Sequence, residues 1–173
     1  RRWHTRYIDD RSSTVCSSDL ARAVATAVEQ ALRALPLAAA AAPGPRDVLC
    51  HGDLHLGQLV RGPGRSGWLL IDIDDLGTGD PAWDLARPAA WFAAGLLPPD
   101  VWARFLGAYR AAGGPAVPAD GDPWARLDVP ARALTVQTAA LAVAKTAEEG
   151  READEAEELM IQACTRIAAL AAG

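Results

Sequence analysis

Val24, Val28, Leu32 and Leu35 recur at helical spacing within residues 21–41, a stretch rich in strong helix formers, and predict one amphipathic helix closed by Pro43-Gly44-Pro45. Val48-Leu49-Cys50 is a short apolar strand, and Gln58-Leu59-Val60 with Trp68-Leu69-Leu70-Ile71 predict a hairpin around the glycine-rich loop 62–67. Asp80-Pro81 is a helix start, because the carboxylate can cap free amides and proline suits the first turn; Pro88 is then expected to kink or divide that helix. Residues 100–112 carry Val101, Phe105, Ala108 and Tyr109 on one face before Gly113-Gly114. A helix over 129–149 stops at Gly150, and one over 152–172 places Ala156, Leu159, Met160, Ala163, Ile167 and Leu170 on a single stripe. Its acidic residues crowd the first turns and Arg166 comes late, as the helix dipole favours. The pattern predicts a mainly α fold of the α+β class, a helical lobe carrying one small hairpin, with chemistry supplied by loops.

At 173 residues, half of them apolar, the chain can bury one substantial core, which predicts a single domain. No stretch has the length and purity of a spanning helix, so no membrane partner is expected. A formal net charge of -5 argues against a nucleic-acid partner and favours a small-molecule substrate. Cys16, Cys50 and Cys164 are far apart and form no Cys-x-x-Cys pair, which fits a reducing cytoplasm.

The reactive side chains concentrate in Cys50-His51-Gly52-Asp53-Leu54-His55-Leu56-Gly57-Gln58, then Asp72-Ile73-Asp74-Asp75, then Gly79-Asp80-Pro81-Ala82-Trp83-Asp84-Leu85-Ala86. An aspartate five positions before an amide residue, with a second aspartate ending an apolar strand, is an arrangement that accepts a hydroxyl proton and holds magnesium on a nucleotide. His51-x-Asp53-x-His55 admits a transition-metal reading, which the Gly52 and Gly57 turns oppose. Asp74 and Asp75 extend an acidic mouth that would attract a cation, although a solvated turn explains them as well. Trp83, Trp91, Trp102 and Trp124 are assigned to the core in preference to a substrate wall.

These three blocks, in this order and spacing, resemble the aminoglycoside phosphotransferase family, kinase-like phosphotransferases that include choline, homoserine and sugar kinases. The resemblance is to the helical C-terminal lobe and covers residue 21 to the end. It implies an ATP-dependent transfer of the γ-phosphate to a hydroxyl of a small molecule, with Asp53 as catalytic base and Gln58 and Asp72 holding magnesium on the nucleotide. Gln58 stands where the family usually has asparagine; the amide oxygen remains a competent ligand one methylene further out. His51, His55 and Asp84 are implied as structural support of the site. The His-Gly-Asp-Leu-His-Leu-Gly-Gln run resembles maltokinase-like members, whereas the Gly-Asp-Pro-Ala-Trp-Asp-Leu-Ala block resembles the aminoglycoside and choline branch, so the acceptor stays open.

Residues 1–20 lack an apolar period and resemble translated sequencing-adapter read-through, so they are expected to be non-native or disordered. The resemblance also implies an N-terminal lobe with a glycine-rich cover and a strand lysine. The one lysine, Lys145, lies beyond the motifs, so a truncated chain of low activity is expected. Two alternatives use the same residues: a non-catalytic pseudokinase or binding module, and a metal-dependent phosphohydrolase built on His51, Asp53, His55 and Asp72.

Overall fold

The structure, a computed structural model, describes residues 22–33, 35, 48–62, 64 and 67–171. It is mainly helical with two small antiparallel strand pairs, an α+β arrangement. Helix α1 spans residues 22–33; expectations for residues 1–20 and for most of 34–47 lie outside the described residues. Ala27, Val28 and Ala31 of α1 meet the core, whereas Leu32 is 59% exposed. Steps of four residues drift by about 40° each around a helix, so the row from Val24 leaves the buried face by Leu32.

Strand β1 (Val48–Cys50) pairs with β4 (Gly77–Gly79), and β2 (Leu59–Arg61) pairs with β3 (Trp68–Leu70). The second pair is the predicted hairpin. The first is a non-local pairing missing from the sequence pattern, because Gly77-Thr78-Gly79 has neither apolar side chains nor alternation. Arg61 lies over the Trp68 ring at 4.8 Å, a cation–π contact beside the hairpin loop.

Asp80 caps a single 3-10 turn, Pro81–Trp83, accepting from the amide of Ala82. Helix α2 (Ala86–Ala94) follows as a separate element. Pro88 therefore does not divide a helix: it is the third residue of α2, where an amide hydrogen would have no intrahelical acceptor. Gly95 closes α2 in the left-handed region at φ 87°.

Helix α3 (Pro99–Ala111) is followed by α4 (Trp124–Glu149) and α5 (Glu155–Ala171). Helix α4 begins earlier than the predicted 129, since Pro130 is accommodated inside it and buried. Helix α2 presents Ala86, Ala89, Ala90 and Ala94 inward, small side chains that let it lie close against α4 and α5. Leu127 of α4 and Met160 of α5 fill the space beside this alanine face. Trp102 is in the core, stacked on Phe92 at 5.2 Å and beside Trp124 at 6.1 Å, as assigned from sequence. Trp83 departs from that assignment at 38% exposed. Among the described residues, no helix is long and apolar enough to cross a membrane.

The α4–α5 corner is set by reciprocal capping: Glu157 donates its amide to Asp154 Oδ1, and Asp154 donates its amide to Glu157 Oε2. Arg151 adds a bidentate contact to Glu157 and another to Glu149. The guanidinium and the Asp154 amide together hold the Glu157 carboxyl at about 2, against an ordinary value of 4.5. A depressed carboxyl contributes stability above its unfolded value and loses it as pH falls toward the folded one. The melting-temperature advantage of the native chain over Glu157→Gln is thus expected in full above pH 4.5 and to shrink as pH falls to about 2. Circular dichroism melts of both proteins across that window measure it.

Candidate active site

The loop that joins β1 to β2 carries most of the candidate chemistry, and a single carboxylate fixes its start. Asp84 Oδ2 accepts from the amide of His51 at 2.9 Å, and Asp84 Oδ1 accepts from the amide of Gly52 at 3.0 Å. Asp84 ends the 3-10 turn just before α2, so the backbone of the loop is pinned to the helical core. Gly52 is in the left-handed region at φ 88°, and a Cβ there would lie 2.5 Å from the carbonyl oxygen of Asp75. Both the conformation and the close approach require glycine.

His51 is 3% exposed, and its Nε2 donates to the carbonyl of Ile71 at 3.0 Å. This bond fixes the proton on Nε2 and leaves Nδ1 buried without a partner. It also ties the residue two before Asp53 to the residue one before Asp72. The two aspartate loops are therefore in direct contact.

Hairpin register brings Gln58 beside Asp72. Leu59 faces Leu70, and Ile71 donates its amide to the carbonyl of Gln58 at 2.9 Å. Gln58 Nε2 then donates to Asp72 Oδ2 at 2.6 Å. Gln58 is 5% exposed, so its amide is held in one place. Asp72 has φ 59°, the one non-glycine residue with positive φ among the described residues. Aspartate tolerates that region better than most residues, and such conformations gather at functional sites.

Asp53 is half-exposed, and Arg87 Nη2 donates to its Oδ1 at 2.6 Å. Its Oδ2 lies 3.8 Å from His55 Nε2, beyond hydrogen-bond reach. His55 Nδ1 accepts from the amide of Gly57 at 3.0 Å, so His55 caps the 3-10 turn Leu56–Gln58 and directs its other nitrogen toward Asp53. Arg87 was missed in the sequence. The signal was present: Asp84 and Arg87 are three apart, so the helix start turns both toward the loop.

A cavity of about 470 Å³ opens beside this cluster, between the hairpin, α2 and α3. His55, Asp84 and Arg87 are at its wall, together with Trp91, the one of the four tryptophans considered above that lines it. Among the described residues, no three His, Cys, Asp or Glu side chains converge as a metal centre. The reading of His51, Asp53, His55 and Asp72 as a transition-metal or phosphohydrolase site finds no such cluster there: His51 Nε2 bonds Ile71 and His55 Nδ1 accepts from Gly57.

A model of the phosphotransferase enzyme family matches residues 1–129, a span that contains every site residue described above. It differs from the stretch on which the motifs placed the resemblance, since it includes the first twenty residues and stops within α4. No curated protein and no solved structure matches the chain.

Asp84→Ala leaves two loop amides without their acceptor, at a cost of about 1–3 kcal/mol for each that stays buried. Urea unfolding is expected to show the loss, with Asp84→Asn, which keeps one acceptor oxygen, falling in between. Gly52→Ala is expected to destabilise by more than about 1 kcal/mol, because alanine meets both the positive φ and the Asp75 carbonyl.

Proposed function

The chain belongs to the phosphotransferase enzyme family, and we propose that it transfers the γ-phosphate of ATP to a hydroxyl of a small molecule. The observation that supports this reading is that Gln58 and Asp72 bond to each other and that the His51–Ile71 bond joins the loop carrying Asp53 to the one carrying Asp72. Asp53 is the base. With Oδ1 engaged by Arg87, Oδ2 is the oxygen open to an incoming hydroxyl, and it accepts the proton as the hydroxyl oxygen bonds to the γ-phosphorus. The bond from that phosphorus to the bridging oxygen breaks, and ADP leaves.

Gln58 and Asp72 supply an amide oxygen and a carboxylate, hard donors of the kind magnesium takes, and their side chains already meet. Two protein ligands suit an ion that completes its shell with water and phosphate oxygens. When bound, magnesium would neutralise charge on the phosphates. The chain's own contribution is positional. Asp84 and His51 hold both loops, so base and metal ligands keep their spacing without the reacting groups having to order them.

Lys145, the one lysine, lies in α4 far along the chain from the site loops, so no strand lysine is offered to the phosphates by this chain. Low turnover is therefore expected from these 173 residues alone. Asp53→Ala is expected to lower phosphate transfer by about 10²–10⁴-fold with little change in magnesium–ATP binding. A steady-state assay of ADP release with a panel of hydroxylated acceptors measures this; unchanged turnover would remove Asp53 from its role.

A further inference from the structure

The cavity beside Asp53 has a chemistry that narrows the acceptor. At about 470 Å³ it falls in the size range of small-molecule sites, roughly 300–1,000 Å³. Leu54, Leu59 and Leu70 form one wall, and Trp91, Val101 and Phe105 of α2 and α3 form the other. The charged or titratable groups among the described lining residues are His55, Asp84 and Arg87; each makes at least one hydrogen bond, while Arg87 Nε is buried without a partner. Both oxygens of Asp84 accept from loop amides, Arg87 is paired with Asp53, and His55 Nδ1 accepts from Gly57. Asp72, Asp74 and Asp75, the acidic mouth read in the sequence, are not among the lining residues.

Among the described lining residues a cation finds one carboxylate, Asp84, whose two oxygens already accept from loop amides, and an anion finds one guanidinium, paired with Asp53. Either charge would lose hydration without an unengaged counter-charge, a penalty an uncharged apolar body avoids. The polar residues all contact Asp53 or its loop, so a hydroxyl has its place at that end and an apolar body along the two walls.

We infer that the cavity binds the acceptor, and that the acceptor is an uncharged alcohol with an apolar, ring-containing body rather than a polycationic sugar. This rests on the phosphotransferase reading for the identity of the bound molecule as acceptor. The cavity's preference among ligands follows from its walls alone.

The test uses biphenylmethanol, its ammonium-bearing and carboxylate-bearing analogues, and kanamycin as a polycation, titrated calorimetrically into the complete protein. Biphenylmethanol is expected to bind at least roughly tenfold more tightly than either charged analogue. Val101→Gln and Leu70→Gln are each expected to weaken its binding by roughly tenfold. Leu70 is 47% exposed, so that variant retains the fold even if Val101→Gln does not, and its melting temperature serves as the check. Equal or tighter binding of kanamycin or the ammonium analogue overturns the inference, as does unaltered affinity for biphenylmethanol in Leu70→Gln. Phosphorylation of kanamycin with no binding of biphenylmethanol also overturns it while leaving the transfer reading intact. Selective binding of biphenylmethanol that magnesium–ATP never phosphorylates, in a protein that transfers phosphate to no acceptor of the panel, supports the cavity's preference and overturns the transfer reading.

Discussion

Two hydrogen bonds that the Asp84 carboxylate accepts from the amides of His51 and Gly52 hold the loop against the helices. Without them the loop would have a three-residue strand at one end and a 3-10 turn at the other, neither long enough to fix it. The helical side of the clamp is rigid for a separate reason: α2 packs through alanines against α4 and α5, around the fully buried Leu127 and Met160. Core packing thus reaches the site through Asp84, and the position of Asp53 depends on side chains that never approach a substrate.

The second support comes from the hairpin. Its register sets Gln58 beside Ile71 and so delivers the amide to Asp72, while His51 bonds the intervening carbonyl. One loop therefore carries Asp53, the proposed base, near its start and Gln58, a proposed metal ligand, at its end, and Asp72, the other proposed ligand, follows the returning strand. The positive φ of Asp72 turns the chain at that point. Arg87 occupies one oxygen of Asp53 and leaves the other, Oδ2, beyond hydrogen-bond reach of His55.

Much of this was legible in the sequence because it is local. The hairpin follows from two apolar runs around a glycine-rich loop, and α3 and α5 from helical spacing. The three motif blocks single out Asp53, Gln58, Asp72 and Asp84; of these the structure bonds Gln58 to Asp72 and ties Asp84 to the loop of Asp53. What escaped was non-local or ran against a local rule. The β1–β4 pairing depends on glycines that carry no pattern, α4 runs through Pro130, and the burial of α1 falls on Ala27 and Ala31 because a row taken every four residues turns away from the core by Leu32. Arg87 went unassigned because its partner, Asp53, is thirty-four positions away, although its three-residue spacing from Asp84 is a local signal. The apolar cavity could not be read at all, because its walls come from the hairpin and from two helices far along the chain.

The claim on which the rest turns is that Gln58 and Asp72 form one divalent-ion site on the loops that carry Asp53. Manganese added with ATP, as a paramagnetic stand-in for magnesium, reports this directly in the amide spectrum of the labelled protein. The side-chain amide of Gln58 and the backbone amide of Asp72 should broaden first, followed by Asp53. Broadening that spares these signals and begins instead at Glu149 and Glu157, the acidic corner between α4 and α5, would contradict the account.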